Sequence, residues 1–133
     1  MSQLIAADVV EDGATVQPSK TVLLVDDRDA SRLTTKWFLA NFGFSVETAR
    51  SAEEALAIFD PKLHDVVLTD NAMPGMSGVE MAHIIKMRSP GTPVLMYTGK
   101  PPEQSSGIDY VIQKPAHLLA VKEAIEQCLA KSG

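Results

Sequence analysis

Four short, unbroken apolar runs constrain this chain more than anything else in it. They are Val22-Leu23-Leu24-Val25, Val66-Val67-Leu68, Val94-Leu95-Met96-Tyr97 and Tyr110-Val111-Ile112. A run apolar at successive residues suits a strand covered on both faces, the usual setting of a parallel sheet. One further stretch, residues 44–48, alternates instead, with Phe44 and Val46 against Ser45 and Glu47. That pattern belongs to an edge strand. Between the runs, apolar residues recur at helical spacing: Ala30, Leu33, Trp37 and Ala40; Ala52, Ala55, Leu56 and Phe59; Met81, Ile84 and Ile85. A last stripe runs through Leu118, Val121, Ile125, Cys128 and Leu129. Strands alternating with helices imply right-handed crossovers. The expected fold class is therefore α/β, a doubly wound five-stranded parallel sheet in the order 2-1-3-4-5.

The local signals sharpen these elements. Asp29 is placed to cap the first helix, whose spacing puts Trp37 in the core, and Gly43 ends it. Ser51 and Glu54 form a capping box for the second helix, which Asp60-Pro61 closes. His64 reads as a solvated or hydrogen-bonded loop residue rather than a ligand. Residues 73–78 form a rigid turn before the third helix, on which His83 and Lys86 are expected to face water. Residues 99–108, GKPPEQSSGI, are poor helix material. Cys128 reads as a small buried hydrophobe.

The chain has 133 residues, enough for one domain, and 45% of them are hydrophobic. The net charge of −5 and the lack of a basic cluster disfavour nucleic-acid binding. No apolar run approaches the roughly 20 residues of a membrane span. No secretory signal is expected, and the single Cys128 suits a reducing cytoplasm. Residues 1–19 read as a flexible N-terminal extension and residues 20–133 as the domain.

Chemistry is carried where the runs stop. The first ends in Asp26-Asp27, the second in Thr69-Asp70, the third in Thr98, and the fifth strand runs into Lys114. In an open α/β sheet, ligands bind at these carboxyl ends. Three carboxylates gathered there repel one another unless a hard cation joins them, and Mg2+ suits carboxylates, a backbone carbonyl and waters. A hydroxyl and an ammonium beside them would bind phosphoryl oxygens. The set supports phosphoryl transfer to a carboxylate, with Asp70, directly after a buried strand, as the residue that carries it.

These residues lie in VLLVDD (22–27), TDNAMPGMSG (69–78), YTG (97–99) and QKP (113–115). In that order, they make the chain resemble a response-regulator receiver domain of two-component signalling, of the chemotaxis-regulator type and flavodoxin-like fold, over about residues 21–130. The strand order itself is one the receiver fold is known for. The resemblance implies Asp70 as phosphoacceptor. It implies Mg2+ held by Asp27 and Asp70, by the Ala72 carbonyl, and by Asp26 through water. Thr98 would hydrogen-bond the phosphoryl group, and Lys114 would pair with Asp70 before transfer and with a phosphoryl oxygen after it. The implied donor is a phosphohistidine on a histidine kinase or histidine phosphotransfer protein.

The chain departs from the family pattern in three places. Only 15 residues separate Thr98 from Lys114, so the fourth helix is expected to be shortened or missing. The aromatic usual three positions before the lysine is replaced by Val111, and Tyr110, one residue earlier, points to the opposite face and does not simply replace it; substitution by Tyr97 is the minority reading. Ala72 offers no side chain to orient a hydrolytic water, while Lys100 stands where it would cover the phosphoryl group. A long-lived aspartyl phosphate follows.

The first functional reading is a phosphorylation switch acting through protein contacts with a downstream protein, not a conventional enzyme. The alternative is a degenerate receiver that binds partners without phosphorylation. A haloacid-dehalogenase-type phosphatase needs a second acid two residues after the nucleophile, where this chain has Ala72. A flavin site needs a phosphate-cradling loop where Asp26 and Asp27 stand.

Overall fold

The computed structural model describes residues 19–104 and 107–132. The expected extension over 1–19 therefore lies, apart from Ser19, outside the described residues. The elements run β1 (Thr21–Val25), α1 (Asp29–Asn41), β2 (Ser45–Ala49), α2 (Ala52–Ile58), β3 (Val66–Thr69), α3 (Gly78–Arg88), β4 (Val94–Thr98), β5 (Tyr110–Gln113) and α4 (Leu118–Ser132). The strands form one five-stranded sheet in the order β2-β1-β3-β4-β5. All four pairings are parallel.

The first three apolar runs have the explanation their pattern implied; the fourth forms β5, an edge strand in which Tyr110 is exposed and only Ile112 is buried. Successive side chains of a strand point to opposite faces. In β1, Leu23 and Val25 enter a core layer with α2 and α3, while Val22 and Leu24 enter a second layer with α1 and α4. Val67 and Val94 join the first layer, and Val66, Leu68, Leu95 and Ile112 the second. The polar β2 lies at an edge, as its alternation required. Its Glu47 serves the fold: His64, wholly buried, brings Nε2 to Glu47 Oε1 at 2.6 Å. His64 Nδ1 accepts from the Asp60 N–H at 3.0 Å, so the ring proton sits on Nε2 and donates to Glu47. His64 is hydrogen-bonded as expected, but not solvated.

Helix α1 is turned from the expected face. Leu33 is 57% and Trp37 68% exposed, so Trp37 is not a core residue. The buried positions are Arg32, Thr35 and Leu39, which share one face. Counting apolar residues missed that face because two of its three members are polar. Arg32 tolerates burial by donating Nη1 to the Asp26 carbonyl and Nη2 to Asp29 Oδ1, at 2.9 and 2.6 Å. Asp29 is thus the first helical residue rather than the cap; Arg28 takes the cap position without a side-chain bond. Gly43 ends the helix with φ of 95°, where a side chain would be strained.

In α2, Ser51 Oγ accepts from the Glu54 N–H, but Glu54 Oε1 turns to the Arg50 N–H instead of closing the box. The reciprocal box sits at α3, between Ser77 and Glu80. On α3, His83 is exposed as expected. Lys86 is not in open water: its Nζ donates to the Thr92 carbonyl and to Asp109 Oδ2, both at 2.7 Å. Asp109 Oδ2 also accepts from the Val94 N–H. This carboxylate ties the starts of β4 and β5 to α3. Among the described residues no helix joins β4 to β5.

Candidate functional site

The sheet's hydrogen bonding continues past the strand ends and seats the residues that follow. Asp26 N–H donates to the Ala49 carbonyl, Asp70 N–H to the Val25 carbonyl and Lys114 N–H to the Thr98 carbonyl, at 3.1, 3.0 and 2.8 Å. Three separate loops thereby converge on one end of the sheet. Asp26, Asp27 and Asp70 each offer a carboxylate oxygen, and these oxygens lie within 4.8 Å of one another. Asp26 is 4% and Asp70 8% exposed.

The partners of these oxygens divide the acids. Asp26 Oδ1 accepts from the Arg28 N–H at 3.0 Å. Asp70 Oδ1 accepts from the Asn71 N–H at 2.6 Å. Asp27 Oδ1 is buried and, among the described residues, has no hydrogen-bond partner. An anionic oxygen taken from water without a donor is costly. Beside two more carboxylates, it is a ready ligand for a hard divalent cation. The donor set therefore fits Mg2+, and Ala72 lines a cavity together with Asp70.

Lys114 answers part of this charge. Its Nζ lies 3.6 Å from Asp26 Oδ2 and 3.7 Å from Asp70 Oδ2, too long for hydrogen bonds. It donates to Ser31 Oγ at 3.2 Å and stands over the Tyr97 ring, 4.9 Å from the centroid. Tyr97 in turn donates its hydroxyl to the Ala116 carbonyl, while Tyr110 is exposed. Thr98 is wholly buried, and its Oγ1 accepts from the Lys100 N–H at 3.1 Å. Asp70, Ala72, Thr98 and Lys114 line one cavity of about 490 Å3 together with Arg28 and Lys100.

Asp26, Asp27, Asp70, Ala72, Thr98, Lys100 and Lys114, all singled out in the sequence, are thus gathered at this end of the sheet. Four others were not singled out. Arg28 and Asn71 directly follow Asp27 and Asp70, and that adjacency was the signal available. Ser31 is reached only through the packing of α1. Gly78 was read as part of a turn, yet a Cβ there would lie 2.2 Å from the Asp70 carbonyl oxygen. Its bare backbone lets α3 start against the loop that carries Asp70.

Comparison with known proteins gives the same answer as the architecture. Residues 22–126 match the response regulator receiver domain family. The autoinducer 1 sensor kinase/phosphatase LuxN of Vibrio campbellii is 30% identical over 119 residues, 86% of this chain and 14% of that protein. A putative transcriptional regulator of Haloferax volcanii is 35% identical over 117 residues, again 86% of this chain but 20% of that protein. The chain thus spans a small part of these relatives' length. Among solved structures, a CheY-like receiver domain protein from Methanospirillum hungatei JF-1 superposes with a TM-score of 0.81 at 30% identity, covering 86% of this chain and 97% of that one. The response regulator TrrA of Thermotoga maritima, solved in complex with Mg2+ and BeF, gives 0.77 at 30% identity, covering 82% and 98%. The chain belongs to the response-regulator receiver domain family.

Proposed function

We propose that this receiver accepts a phosphoryl group on Asp70 from a phosphohistidine donor, in a Mg2+-dependent reaction, and signals through protein contacts. The observation that carries the reading is the Asp70 carboxylate gathered with those of Asp26 and Asp27, 3.7 Å from the Lys114 ammonium and in one cavity with Thr98. An Asp70 oxygen attacks phosphorus, the phosphorus–nitrogen bond of the donor breaks, and the imidazole takes the electron pair. Asp26, Asp27, Asp70 and the Ala72 carbonyl would hold Mg2+. The ion, when bound, neutralises the acids and the charge on the phosphoryl oxygens. Lys114 is held off Asp70 by Ser31, so it is free to turn to a phosphoryl oxygen as charge arrives. The Thr98 hydroxyl, in the same cavity, is a further donor for the phosphoryl group.

A histidine kinase or histidine phosphotransfer protein is the donor's class, and the cytoplasm is where such a donor would meet it. Among the described residues no helix is long and apolar enough to cross a membrane. Ala72 supplies no polar side chain beside the acceptor, so the aspartyl phosphate is long-lived. Introducing Ala72→Asn is expected to shorten its half-life.

The test is intact mass after incubation with acetyl phosphate, with and without Mg2+. The native chain is expected to gain one phosphoryl group only with Mg2+, and Asp70→Asn none. An equal gain in Asp70→Asn would sink the assignment of the acceptor. No gain in the native chain from acetyl phosphate or from kinase donors would favour a phosphorylation-independent binding module.

A further inference from the structure

Asn71 uses every polar group it has. Its N–H donates to Asp70 Oδ1 at 2.6 Å, and its carbonyl accepts from the Gly78 N–H at 3.0 Å. Its side-chain Oδ1 accepts from the Val79 N–H at 3.3 Å, at the first turn of α3. Its Nδ2 donates to the Lys100 carbonyl at 3.0 Å, across 29 positions of sequence. Asn and its two amide ends suit this bridging task, since one offers an acceptor and the other two donors.

Lys100 is held from the other side as well, by its N–H on Thr98 Oγ1. Both backbone polar groups of Lys100 therefore end on side chains that flank the acceptor. Among the described residues no helix joins β4 to β5, and residues 99–102 carry no regular structure. Lys100 lines the cavity of Asp70. Its location there depends on where these two bonds put its backbone.

We propose that Asn71 is a positioning residue for phosphoryl transfer to Asp70: its amide holds the Lys100 backbone so that the Lys100 ammonium faces the anionic oxygens of the incoming phosphoryl group. The inference rests on Asp70 as the acceptor. Asn71 acts through Lys100 and not on the phosphoryl group itself.

The test compares the native chain with Asn71→Ala, Lys100→Ala and the double variant, using acetyl phosphate with Mg2+. The acetyl phosphate concentration for half-maximal labelling is expected to rise about fivefold in each single variant, the scale of one solvent-exposed charge contact. The saturating rate changes little, and the double variant is no worse than either single one, because both remove the same contact. Additive losses in the double variant, or a half-maximal concentration unchanged in Asn71→Ala, would overturn the proposal while leaving Asp70 as acceptor. A native chain that takes no label would overturn both. A second readout needs no phosphodonor. The exchange of the amide at position 100, followed by NMR, is expected to quicken in Asn71→Ala and to stay native in Lys100→Ala. Where Asn71→Ala fails to fold, Asn71→Asp keeps the acceptor for Val79 and has no donor for the Lys100 carbonyl. Native exchange in that variant would equally overturn the proposal.

Discussion

At the scale of single residues, charge and backbone space decide more than hydrophobicity. Gly78 abuts the Asp70 carbonyl, a rigid backbone atom, with no room for a Cβ. Gly78→Ala is expected to cost about 1–3 kcal/mol, typical of forcing extra atoms into a packed site. The denaturant midpoint measures this. Trp37 is the opposite case. With 68% exposure, Trp37→Ala should cost no more than about 0.5 kcal/mol. A core tryptophan would cost about 3–5 kcal/mol, so one melt separates the two. The site acids were legible because each lies within two residues of the end of an apolar run. Asn71, Ser31 and the fit of Gly78 were not, since their partners Lys100, Lys114 and Asp70 come together only through loop and helix packing.

Among the elements, α3 shows how a local device is read from sequence and α1 how it is hidden. The Ser77 box closes reciprocally: Ser77 N–H donates to Glu80 Oε1 and Ser77 Oγ accepts from the Glu80 N–H. Ser77→Ala is expected to cost about 1 kcal/mol. The Ser77 backbone N–H, and then its side chain, hold the Glu80 carboxyl below its ordinary value. A carboxylate favoured by the fold stabilises it fully above the ordinary range and loses that contribution as pH falls through the lowered value. The difference in melting temperature between the native chain and Glu80→Gln should therefore be largest near neutrality and narrow in acid. In α1 no such spacing signal exists, because Arg32 earns its buried place through bonds to Asp26 and Asp29. Cys128 is half-buried, and burial, then the nearby Asp109 charge, raises its thiol pKa. It should react slowly with iodoacetamide at neutral pH.

Over the whole molecule, the order of strands was legible because the one polar strand had to lie at an edge. Among the described residues no helix joins β4 to β5, and that was legible from Pro101, Pro102 and the small residues around them. What was not legible is how the gap is closed, by Lys86 reaching Asp109. A ligand bound only by the native state stabilises it by mass action. Mg2+ is thus expected to raise the melting temperature of the native chain, and Asp27→Ala to abolish the rise. Asp27→Ala without metal should melt no lower than native, since it removes a buried oxygen that lacks a donor. The sheet's one-sided end has a further effect, on the order in which the protein comes apart. β5 pairs with β4 alone and buries only Ile112 fully, whereas β1 and β3 are buried along their length. Sub-global opening should begin by detaching β5 with α4, and their amides should exchange well before those of β1 and β3. That opening divides the site along a charge boundary. Lys114 leaves with β5, while Asp26, Asp27 and Asp70 stay on the late-opening strands. The partly opened protein would then be a bare acidic cluster, so divalent cations should slow the exchange of β1 and β3 more than that of β5.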